Sequence, residues 1–434
     1  MNKAVVFGAG HVAGPHVRYL LEKGYEITVA SRTVSKAEDK VEGYENGKSV
    51  EFDINDQEML DELVSQHDVA VSLLPYVFHE KVARSCIRNG KQMVTTSYVS
   101  DEIRALDNEA EEAGILIMME TGVDPGTDHM SAMRVIHDVE NRGGTVKSFE
   151  SYCGGLPAPE DNDNPYGYKF SWSPKGVLLA GKNSAKYLKK GDIVKIPSEE
   201  LFENHWPMDI PGFEEELEAY PNRNSLPYKE KYGLKDAETV FRGTLRYPGW
   251  CETMKCMVDL GLMDEEERDL SGMTYRDMMS ELAGETTEEV AKHLKISVDS
   301  DPIQRMQWLG LFEDEPIPIE EGGYIDALVE LMLDRMDYKE GEKDMLIMHH
   351  IFEAEFDDKQ EKITSTMIDF GVAGGETSMA RTVGLPAAMA VEMVLEGEID
   401  ETGVTIPVEP EIYEPILEKL EGEGIVFEEE KKEV

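Results

Sequence analysis

The chain has 434 residues, and its 89 Asp and Glu against 43 Lys and Arg give a formal net charge of −46 at pH 7. This length predicts two or three domains with sizeable cores. The charge argues against nucleic acids and acidic membranes as partners, because both require a basic face on the protein.

The cysteines and the apolar pattern bear on location. Four cysteines show neither a disulfide framework nor a zinc-ligand spacing; they are Cys86, Cys153, Cys251 and Cys256. No signal peptide precedes the first strand, and no apolar run reaches bilayer length. We therefore expect a reduced, cytoplasmic protein without a metal site.

The first predicted element is a buried strand from Ala4 to Phe7, which leads into a glycine-rich turn. Gly8, Gly10 and Ala13 are spaced as G-x-G-x-x-A. This spacing permits a tight turn, close approach of a pyrophosphate and close helix packing. An ordinary strand-to-helix turn is the alternative. The position between a strand and an apolar-periodic helix favours dinucleotide binding.

Strands and helices alternate up to about Met119. Further strands are predicted at Glu26–Ala30, Ser49–Asp53, Asp68–Leu74, Gln92–Thr95 and Ile115–Met118, with helices such as Asp56–Gln66 and Asp101–Ala113 between them. The pattern predicts an α/β fold with a Rossmann-like, doubly wound parallel sheet, whose ligand lies beyond the carboxyl ends of the strands.

The residues after the second strand predict which dinucleotide binds. An NAD site usually has an acidic residue there, and this chain has Ser31, Arg32 and Thr33 instead. A guanidinium group flanked by two hydroxyls suits a 2′-phosphate, so NADP(H) is the expected cofactor. The alternative for Arg32 is an arginine on a surface loop.

The later strand ends supply further candidates. Asp53 is either a neighbour of the adenine edge or a helix cap. Leu74 and the Thr96-Ser97-Tyr98 segment line either the nicotinamide half of the site or an ordinary turn. The run from Gly122 to His129 marks a domain junction.

Within this run, Asp128 is expected to cap a helix, whereas Asp124 lies where the cofactor should meet the second domain. His79 and His129 are expected to be structural.

The second half predicts a different architecture. Strands are expected at Val146–Cys153, Ile193–Ile196, Thr239–Leu245, Asp344–Phe356 and Lys362–Asp369. They predict a mixed or antiparallel sheet in a second α/β domain. Helices from Met254 to about His293 and from Ile303 to Gly310 predict a small insertion, and Thr377–Glu396 predicts a core helix that completes the first domain. The tail EEEKKEV is expected to be frayed.

The long stretch from Ser151 to Leu188 has no periodicity, and its aromatic content argues against disorder. Its sequence, SYCGGLPAPEDNDNPYGYKFSWSPKGVLLA, resembles the signature of the saccharopine reductase family, the glutamate-forming, NADP-dependent saccharopine dehydrogenases. The resemblance extends to SLLPYVFHEKV, VTTSYVS, VDPGTDH, YPNR, RGTLRYPGW and GLFEDEPI, almost from end to end.

The resemblance implies a fold and a reaction. The expected domains are a Rossmann-like domain at 1–125 completed by 375–434, an α/β substrate domain at 126–250 and 311–374, and a small helical domain at 251–310. The implied reaction, part of lysine metabolism, is the reduction by NADPH of the imine formed from 2-aminoadipate 6-semialdehyde and L-glutamate, which yields saccharopine, and its reverse.

The resemblance also implies the site residues. Cofactor contacts are expected at the glycine turn and the strand ends: Gly8, Ala9, Gly10, His11, Val12, Ser31, Arg32, Thr33, Asp53, Ile54, Leu74, Thr96, Ser97, Val123, Asp124 and Pro125. Substrate contacts are expected at Ser97, Tyr98, Asp124, Arg223, Thr244, Leu245 and Arg246. The chain departs from the family at GAGHV, at Ser31 and at MMETGVDPG, and keeps these arginines.

The chemistry adds roles to these residues. Saccharopine carries three carboxylates, which guanidinium groups of the second domain bind well; Arg223 and Arg246 are the best candidates, and Arg242 and Lys169 are lesser ones. The alternative for each is a surface ion pair.

Proton transfer to and from the imine is expected of Tyr98, Asp124 and Cys153, although Cys153 also suits a small buried filler. Two other functions stay open, a carboxynorspermidine-type dehydrogenase and a NADP-binding regulatory protein without turnover. A homodimer is plausible.

Overall fold

The computed structural model of this chain describes residues 2–434. These residues form eighteen strands: β1 (Lys3–Phe7), β2 (Glu26–Ser31), β3 (Gly47–Glu51), β4 (Val69–Ser72), β5 (Gln92–Thr95), β6 (Leu116–Met118), β7 (Thr145–Pro157), β8 (Ala185–Lys189), β9 (Asp192–Ile196), β10 (Trp206–Met208), β11 (Leu217–Pro221), β12 (Thr239–Arg246), β13 (Arg268–Asp269), β14 (Glu321–Gly322), β15 (Asp344–Glu355), β16 (Gln360–Phe370), β17 (Gly403–Thr405) and β18 (Glu428–Glu433).

Sixteen α-helices connect the strands of the described chain: α1 (Ala13–Glu22), α2 (Val34–Val41), α3 (Gln57–Ser65), α4 (His79–Asn89), α5 (Asp101–Arg104), α6 (Asp107–Ala113), α7 (Thr127–Asn141), α8 (Pro174–Ala180), α9 (Pro227–Lys231), α10 (Trp250–Leu260), α11 (Tyr275–Leu282), α12 (Thr287–Leu294), α13 (Asp301–Leu309), α14 (Tyr324–Met336), α15 (Ser378–Glu396) and α16 (Pro410–Gly422). The chain divides into two compact units. The first unit runs to Arg142 and resumes at Met367–Phe427, and the second comprises Gly143–Thr366 and Glu428–Val434.

The first unit contains a seven-stranded parallel sheet in the order β17-β6-β5-β4-β1-β2-β3. The α/β fold with a Rossmann-like sheet is thereby confirmed. The strand order reverses between β1 and β4, which is where such sheets bind ligands. The central strands are buried on both faces because helices cover both sides, and β1 to β6 lie close to their predicted places.

Three details of the first unit differ from the prediction. The third strand ends at Glu51 instead of Asp53, because the carboxylate of Asp53 accepts the Asn55 amide at 2.9 Å and starts a turn. The single helix predicted over Asp101–Ala113 is two helices, α5 and α6. A seventh strand, β17, was not predicted, since three residues carry too little periodicity to recognise.

Helix α15 packs against α1 within the first unit, and the predicted core helix over Thr377–Glu396 is confirmed. Its length and composition would allow it to cross a membrane, so the expectation that no apolar run reaches bilayer length is wrong for this helix, but 78% of that window is buried inside the protein. Burial of this kind is what a core helix of a globular domain shows.

The second unit contains a nine-stranded mixed sheet. The main path is β10-β11-β12-β7-β15-β16-β18, and β8 and β9 form a hairpin attached to β12. The β12–β7 pair is parallel, whereas the pairs β10–β11, β11–β12, β12–β8, β8–β9, β7–β15 and β16–β18 are antiparallel. The five strands predicted in this half are present, and the short strands β8, β10 and β11 were missed.

Parts of this unit correct the sequence analysis. The tail is not frayed, because β18 pairs antiparallel with β16 at the sheet edge. The stretch from Ser151 to Leu188 holds the end of β7, helix α8 and most of β8. The predicted boundary at 126 also differs from the observed one, since α7 belongs to the first unit and β18 to the second.

Candidate functional site

The glycine turn after β1 has the shape of a phosphate-binding loop. Gly8 has φ +112°, and a Cβ there would lie 2.9 Å from the carbonyl oxygen of Leu73. A Cβ at Gly10 would meet no atom within 4 Å, so this backbone faces open space. Val12 places no side-chain cap on the first amides of α1. These amides, together with the neighbouring Ala9 and His11, can therefore receive an anion.

Arg32 directly follows β2. Because β2 pairs in parallel with β1, the end of β2 lies beside the glycine turn that follows β1. Its side chain is exposed, and no residue within 2–434 forms an ion pair or a hydrogen bond with it. Ser31 Oγ accepts the Thr33 amide at 3.3 Å, and the Thr33 hydroxyl does not cap α2. A guanidinium group in so acidic a chain normally finds a carboxylate, so its freedom fits a site for a phosphate.

The other predicted cofactor contacts follow strands of the same sheet edge. Asp53 and Ile54 follow β3, Leu74 follows β4, and Thr96 follows β5. Parallel pairing brings these ends to one edge. Asp53 is exposed and does not cap α3, because that cap is Asp56, whose carboxylate accepts the Met59 amide at 3.0 Å.

Ser97 is held by a buried histidine. His79 is hydrogen-bonded to Ser72 Oγ through Nδ1 at 2.8 Å and to Ser97 Oγ through Nε2 at 2.7 Å. Burial lowers the pKa of His79 to about 4, so the ring is neutral at pH 7. The expected structural role of His79 is therefore to orient the hydroxyl of Ser97, a predicted site residue.

Tyr98 and Asp124, two of the predicted proton carriers, are brought together. The Tyr98 hydroxyl donates to Asp124 Oδ1 at 2.9 Å, and both side chains are partly buried. Val123 and Pro125 flank this carboxylate and are buried. Closure of the loop is tight, because a Cβ at Gly126 would lie 2.2 Å from the Gly122 carbonyl oxygen.

Glu120 was not predicted, and its side chain links the segment after β5 to helix α7. Its buried carboxylate accepts the Val99 amide at 3.0 Å through Oε1 and contacts His129 Nε2 at 2.7 Å through Oε2. Glu120 also has φ +57°, an uncommon value for this residue type. The sequence holds no spacing signal for it. Asp128 lies in the first turn of α7 and accepts the Gly126 amide at 2.6 Å.

The second unit holds the other predicted residues on its sheet. Cys153 of β7 lies beside Thr244 of β12, and Thr244 lies opposite Tyr220 of β11. Directly paired residues of neighbouring strands project to the same face, so these three side chains form a row. Cys153 is half-buried, whereas Leu245 is fully buried and projects to the opposite face.

Arg246 ends β12 and is 4% exposed. Its guanidinium carbon lies 4.9 Å from the ring centre of Tyr168 and 5.4 Å from that of Trp250. Nη1 donates to the Leu245 carbonyl at 2.7 Å, and Nε has no hydrogen-bond partner. The opposite residue on β11, Glu218, accepts the Cys251 amide of α10 instead.

Within residues 2–434, no carboxylate pairs with Arg246. A buried guanidinium without a counter-ion is costly, so this geometry fits a site for an anionic ligand group. The contact of Tyr168 and Trp250 with Arg246 was not predicted, although both residues lie inside the quoted motifs.

Arg223 and Arg246 lie at different ends of the β11–β12 pair. Arg223 is exposed in the turn after β11, with φ +48°, and the adjacent Asn222 amide donates to the Arg242 carbonyl at 2.8 Å. Arg242 and Arg246 are four positions apart, which is about 13 Å along a strand. Arg242 itself is buried, with its guanidinium carbon 4.4 Å from the ring centre of Tyr228.

Lys169 is paired with two carboxylates of the second unit. Its buried ammonium group lies 2.8 Å from Asp163 and 2.6 Å from Glu342. The ion pair lowers the pKa of Asp163 to about 2. The charge of Lys169 is therefore already compensated by the protein, and its lesser candidacy as a substrate residue stays a prediction.

Comparison with known proteins gives consistent results. The protein-family model described as "Saccharopine dehydrogenase NADP binding domain" matches residues 4–118, and the one described as "Saccharopine dehydrogenase C-terminal domain" matches residues 122–425. A protein of Schizosaccharomyces pombe named saccharopine dehydrogenase (NADP+, L-glutamate-forming) is 42% identical over 99% of both chains. One of the same name from Pyricularia oryzae is 39% identical over 96% of both chains.

A solved structure, apo saccharopine dehydrogenase (L-Glu forming) from Saccharomyces cerevisiae, is 39% identical and superimposes with a TM-score of 0.91 over 100% of both chains. The family models cover most of the chain, and the relatives match both sheets of the fold. This chain therefore belongs to the saccharopine dehydrogenase family.

Proposed function

We propose that this protein is an NADP-dependent, L-glutamate-forming saccharopine dehydrogenase, which reduces the imine of 2-aminoadipate 6-semialdehyde and L-glutamate to saccharopine and catalyses the reverse reaction. The observation that carries the proposal is the end-to-end similarity to relatives of this name, at 42% identity over 99% of both chains. Neither a carboxynorspermidine-type dehydrogenase nor a regulatory protein without turnover is favoured by these relatives.

The residues of the first unit fit NADP(H). The amides after Gly8 and at the start of α1 would hold the pyrophosphate, and the exposed Arg32 with Ser31 and Thr33 would hold the 2′-phosphate. The cofactor, when bound, supplies or accepts the hydride, and the protein supplies binding and orientation. The free guanidinium of Arg32 is the structural feature that supports NADP over NAD.

The second unit supplies cations for a substrate with several carboxylates. Arg246 is buried between two aromatic rings without a counter-ion, and Arg223 is exposed at the far end of the same strand pair. The backbone separation of about 13 Å between the two ends of this pair suits an elongated molecule with acidic groups at both ends. Thr244 and Cys153 lie on the Arg246 face of the sheet.

Proton transfer is assigned to the Tyr98–Asp124 pair and to Cys153. The Tyr98 phenol donates to Asp124, so the carboxylate orients the phenol and can take up its proton. His79 fixes the preceding hydroxyl of Ser97. A single positioned acid or base of this kind contributes about 10²–10⁴-fold to a rate.

An assay of the purified protein tests this proposal. With 2-aminoadipate 6-semialdehyde, L-glutamate and NADPH, we expect the absorbance of NADPH to fall and saccharopine to accumulate. Replacement of L-glutamate by a diamine should abolish turnover, whereas a carboxynorspermidine-type enzyme would prefer the diamine. The proposed activity would be contradicted if folded protein bound NADPH tightly but turned over the semialdehyde with neither L-glutamate nor the diamine.

Two further properties are proposed, a homodimer and a cytoplasmic location. The homodimer would sediment at twice the chain mass of 48.8 kDa, and sedimentation at the mass of one chain would contradict it. A cytoplasmic location is compatible with four cysteine thiols, three of them buried. A fluorescent fusion confined to an organelle would contradict this location.

A further inference from the structure

The sheet of the second unit has a cavity of about 270 Å³ that the proposed reaction does not use. Its lining residues come from four strands, β7, β8, β10 and β12; the side chains that matter are Glu150, Tyr152, Tyr187, Lys189, Trp206 and Phe241. Side chains alternate between the faces of a strand, so Tyr152 and Cys153 project to opposite faces. The cavity therefore lies on the other face of the sheet from Cys153, Thr244 and Arg246.

Four aromatic rings surround this cavity, with Phe241 at their centre. The ring centre of Phe241 lies 4.9 Å from that of Tyr187, 5.5 Å from that of Tyr152 and 5.6 Å from that of Trp206. A glycine makes this convergence possible, because a Cβ at Gly243 would lie 2.9 Å from both Phe241 and Tyr152. The backbone is thus shaped to bring the rings together.

Two charges of opposite sign lie in the same lining. Glu150 accepts a hydrogen bond from the Tyr152 hydroxyl at 2.5 Å, and burial together with this carboxylate raises the pKa of the phenol, which stays protonated. Across the described chain, no cation lies within ion-pair distance of Glu150, and no carboxylate lies within that distance of Lys189. The cavity therefore presents one unpaired anion and one unpaired cation beside aromatic faces.

We propose that this aromatic cavity is a binding site for a small amino acid-type zwitterion, with its ammonium group against the rings and Glu150 and its carboxylate at Lys189. Aromatic faces attract an organic cation through their quadrupoles, and a nearby carboxylate adds charge. An uncharged apolar ligand would leave both charges unmatched. The site is independent of the proposed reaction, because none of its side chains is assigned to that reaction.

Calorimetric titration of the full-length protein tests the proposal with three probes of equal chain length. 6-Aminohexanoate carries both charges, hexylamine only the cation and hexanoate only the anion. We expect 6-aminohexanoate to bind, hexylamine to bind about tenfold more weakly, and hexanoate to give no measurable heat. Failure of both ammonium probes to bind would overturn the proposal.

Single substitutions locate the two charges. Glu150→Gln should weaken 6-aminohexanoate about tenfold or more, and Lys189→Met should weaken 6-aminohexanoate but leave hexylamine unchanged. Glu353→Gln on β15 and Lys195→Met on β9 are matched controls, since both are exposed residues of the same sheet. Equal losses in a variant and its control would overturn the assignment.

Trp206→Leu tests the rings without removing the fully buried Phe241, because Trp206 is only half-buried at the cavity edge. This variant should weaken both ammonium probes while the protein keeps its thermal unfolding midpoint. Unchanged affinity in a folded Trp206→Leu variant would also contradict the proposed site.

Discussion

Two buried cations of the second unit differ in whether a carboxylate compensates their charge. Lys169 is 2% exposed and contacts two carboxylates, so its charge is compensated inside the protein. Arg246 is 4% exposed and has only a carbonyl partner and two aromatic rings. Exposure alone does not distinguish the two side chains, whereas the presence of a counter-ion does.

Substitution of Arg246 should therefore affect binding more than folding. Arg246→Met keeps the apolar stem between the rings and removes an uncompensated charge, so we expect the free energy of unfolding to stay within about 1 kcal/mol or to rise. The KM for saccharopine should rise about 100-fold, while the Kd for NADPH is unchanged. Steady-state kinetics, NADPH titration and urea unfolding measure these values.

Arg246→Lys separates charge from geometry in the same experiment. A lysine keeps the positive charge and loses the planar fork, so it should recover only part of the affinity. A loss of more than about 2 kcal/mol of stability in the Met variant would contradict the role of Arg246 as a ligand-binding residue.

A second prediction concerns the single residue Arg32. Arg32→Ala should weaken NADPH about 10- to 100-fold and leave NADH nearly unchanged, because only NADPH carries a 2′-phosphate. Lys36→Ala is the matched control, since Lys36 is an exposed cation of the adjoining helix α2. Fluorescence titration with NADPH and with NADH gives the Kd of each nucleotide and hence the ratio of the two. Equal weakening of NADPH and NADH would contradict the assignment of the phosphate site.

At the scale of elements, the contact between α1 and α15 supports the phosphate-binding turn. A Cβ at Gly384 of α15 would lie 2.6 Å from the Val12 carbonyl oxygen and 3.2 Å from the His16 amide nitrogen. His16 Nδ1 also donates to the Gly384 carbonyl at 3.2 Å. The backbones of the two helices thus touch directly below the start of α1.

Gly384→Ala should force these helices apart. We expect a loss of about 1–3 kcal/mol of unfolding free energy and weaker NADPH binding, since backbone atoms cannot move aside as a side chain can. Gly422→Ala is the control, because Gly422 ends α16 and a Cβ there would meet nothing within 4 Å. The alanine at 422 should leave stability unchanged or raise it slightly. A neutral result at 384 would contradict the close contact.

At the scale of the whole molecule, buried histidines couple folding to pH. Burial lowers the pKa of each of three residues, His16, His79 and His349, from 6.5 to about 4. Each ring is neutral in the folded protein at pH values where it is protonated in the unfolded chain. The unfolded state therefore binds more protons below pH 6.5, and stability falls as the pH is lowered.

We expect the unfolding free energy to decrease between about pH 6.5 and pH 5, by at most about 2 kcal/mol per histidine. The acidic side chains titrate mainly below this window, so relief of their mutual repulsion interferes little. Urea unfolding at a series of pH values measures the slope. His349→Gln should reduce that slope by about one proton, and an unchanged slope would contradict the neutral state of His349.

The amino-acid sequence by itself determined the N-terminal sheet, the glycine turn, the NADP preference indicated by Arg32, and the family. These features depend on residues close together in the chain, such as the spacing from Gly8 to Ala13 or the strand before Arg32. Short strands such as β10 and β17 were missed because three residues form a strand only when a neighbour completes the hydrogen bonds.

Only the tertiary structure decided which charges are satisfied. Lys169 donates a hydrogen bond to Glu342, 173 residues away. Glu218 lies opposite Arg246, but its carboxylate accepts an amide of α10 instead. The cavity around Phe241 likewise needs side chains from four strands. Ion pairing and cavity shape depend on which distant segments pack together, and no local pattern of residues records that packing.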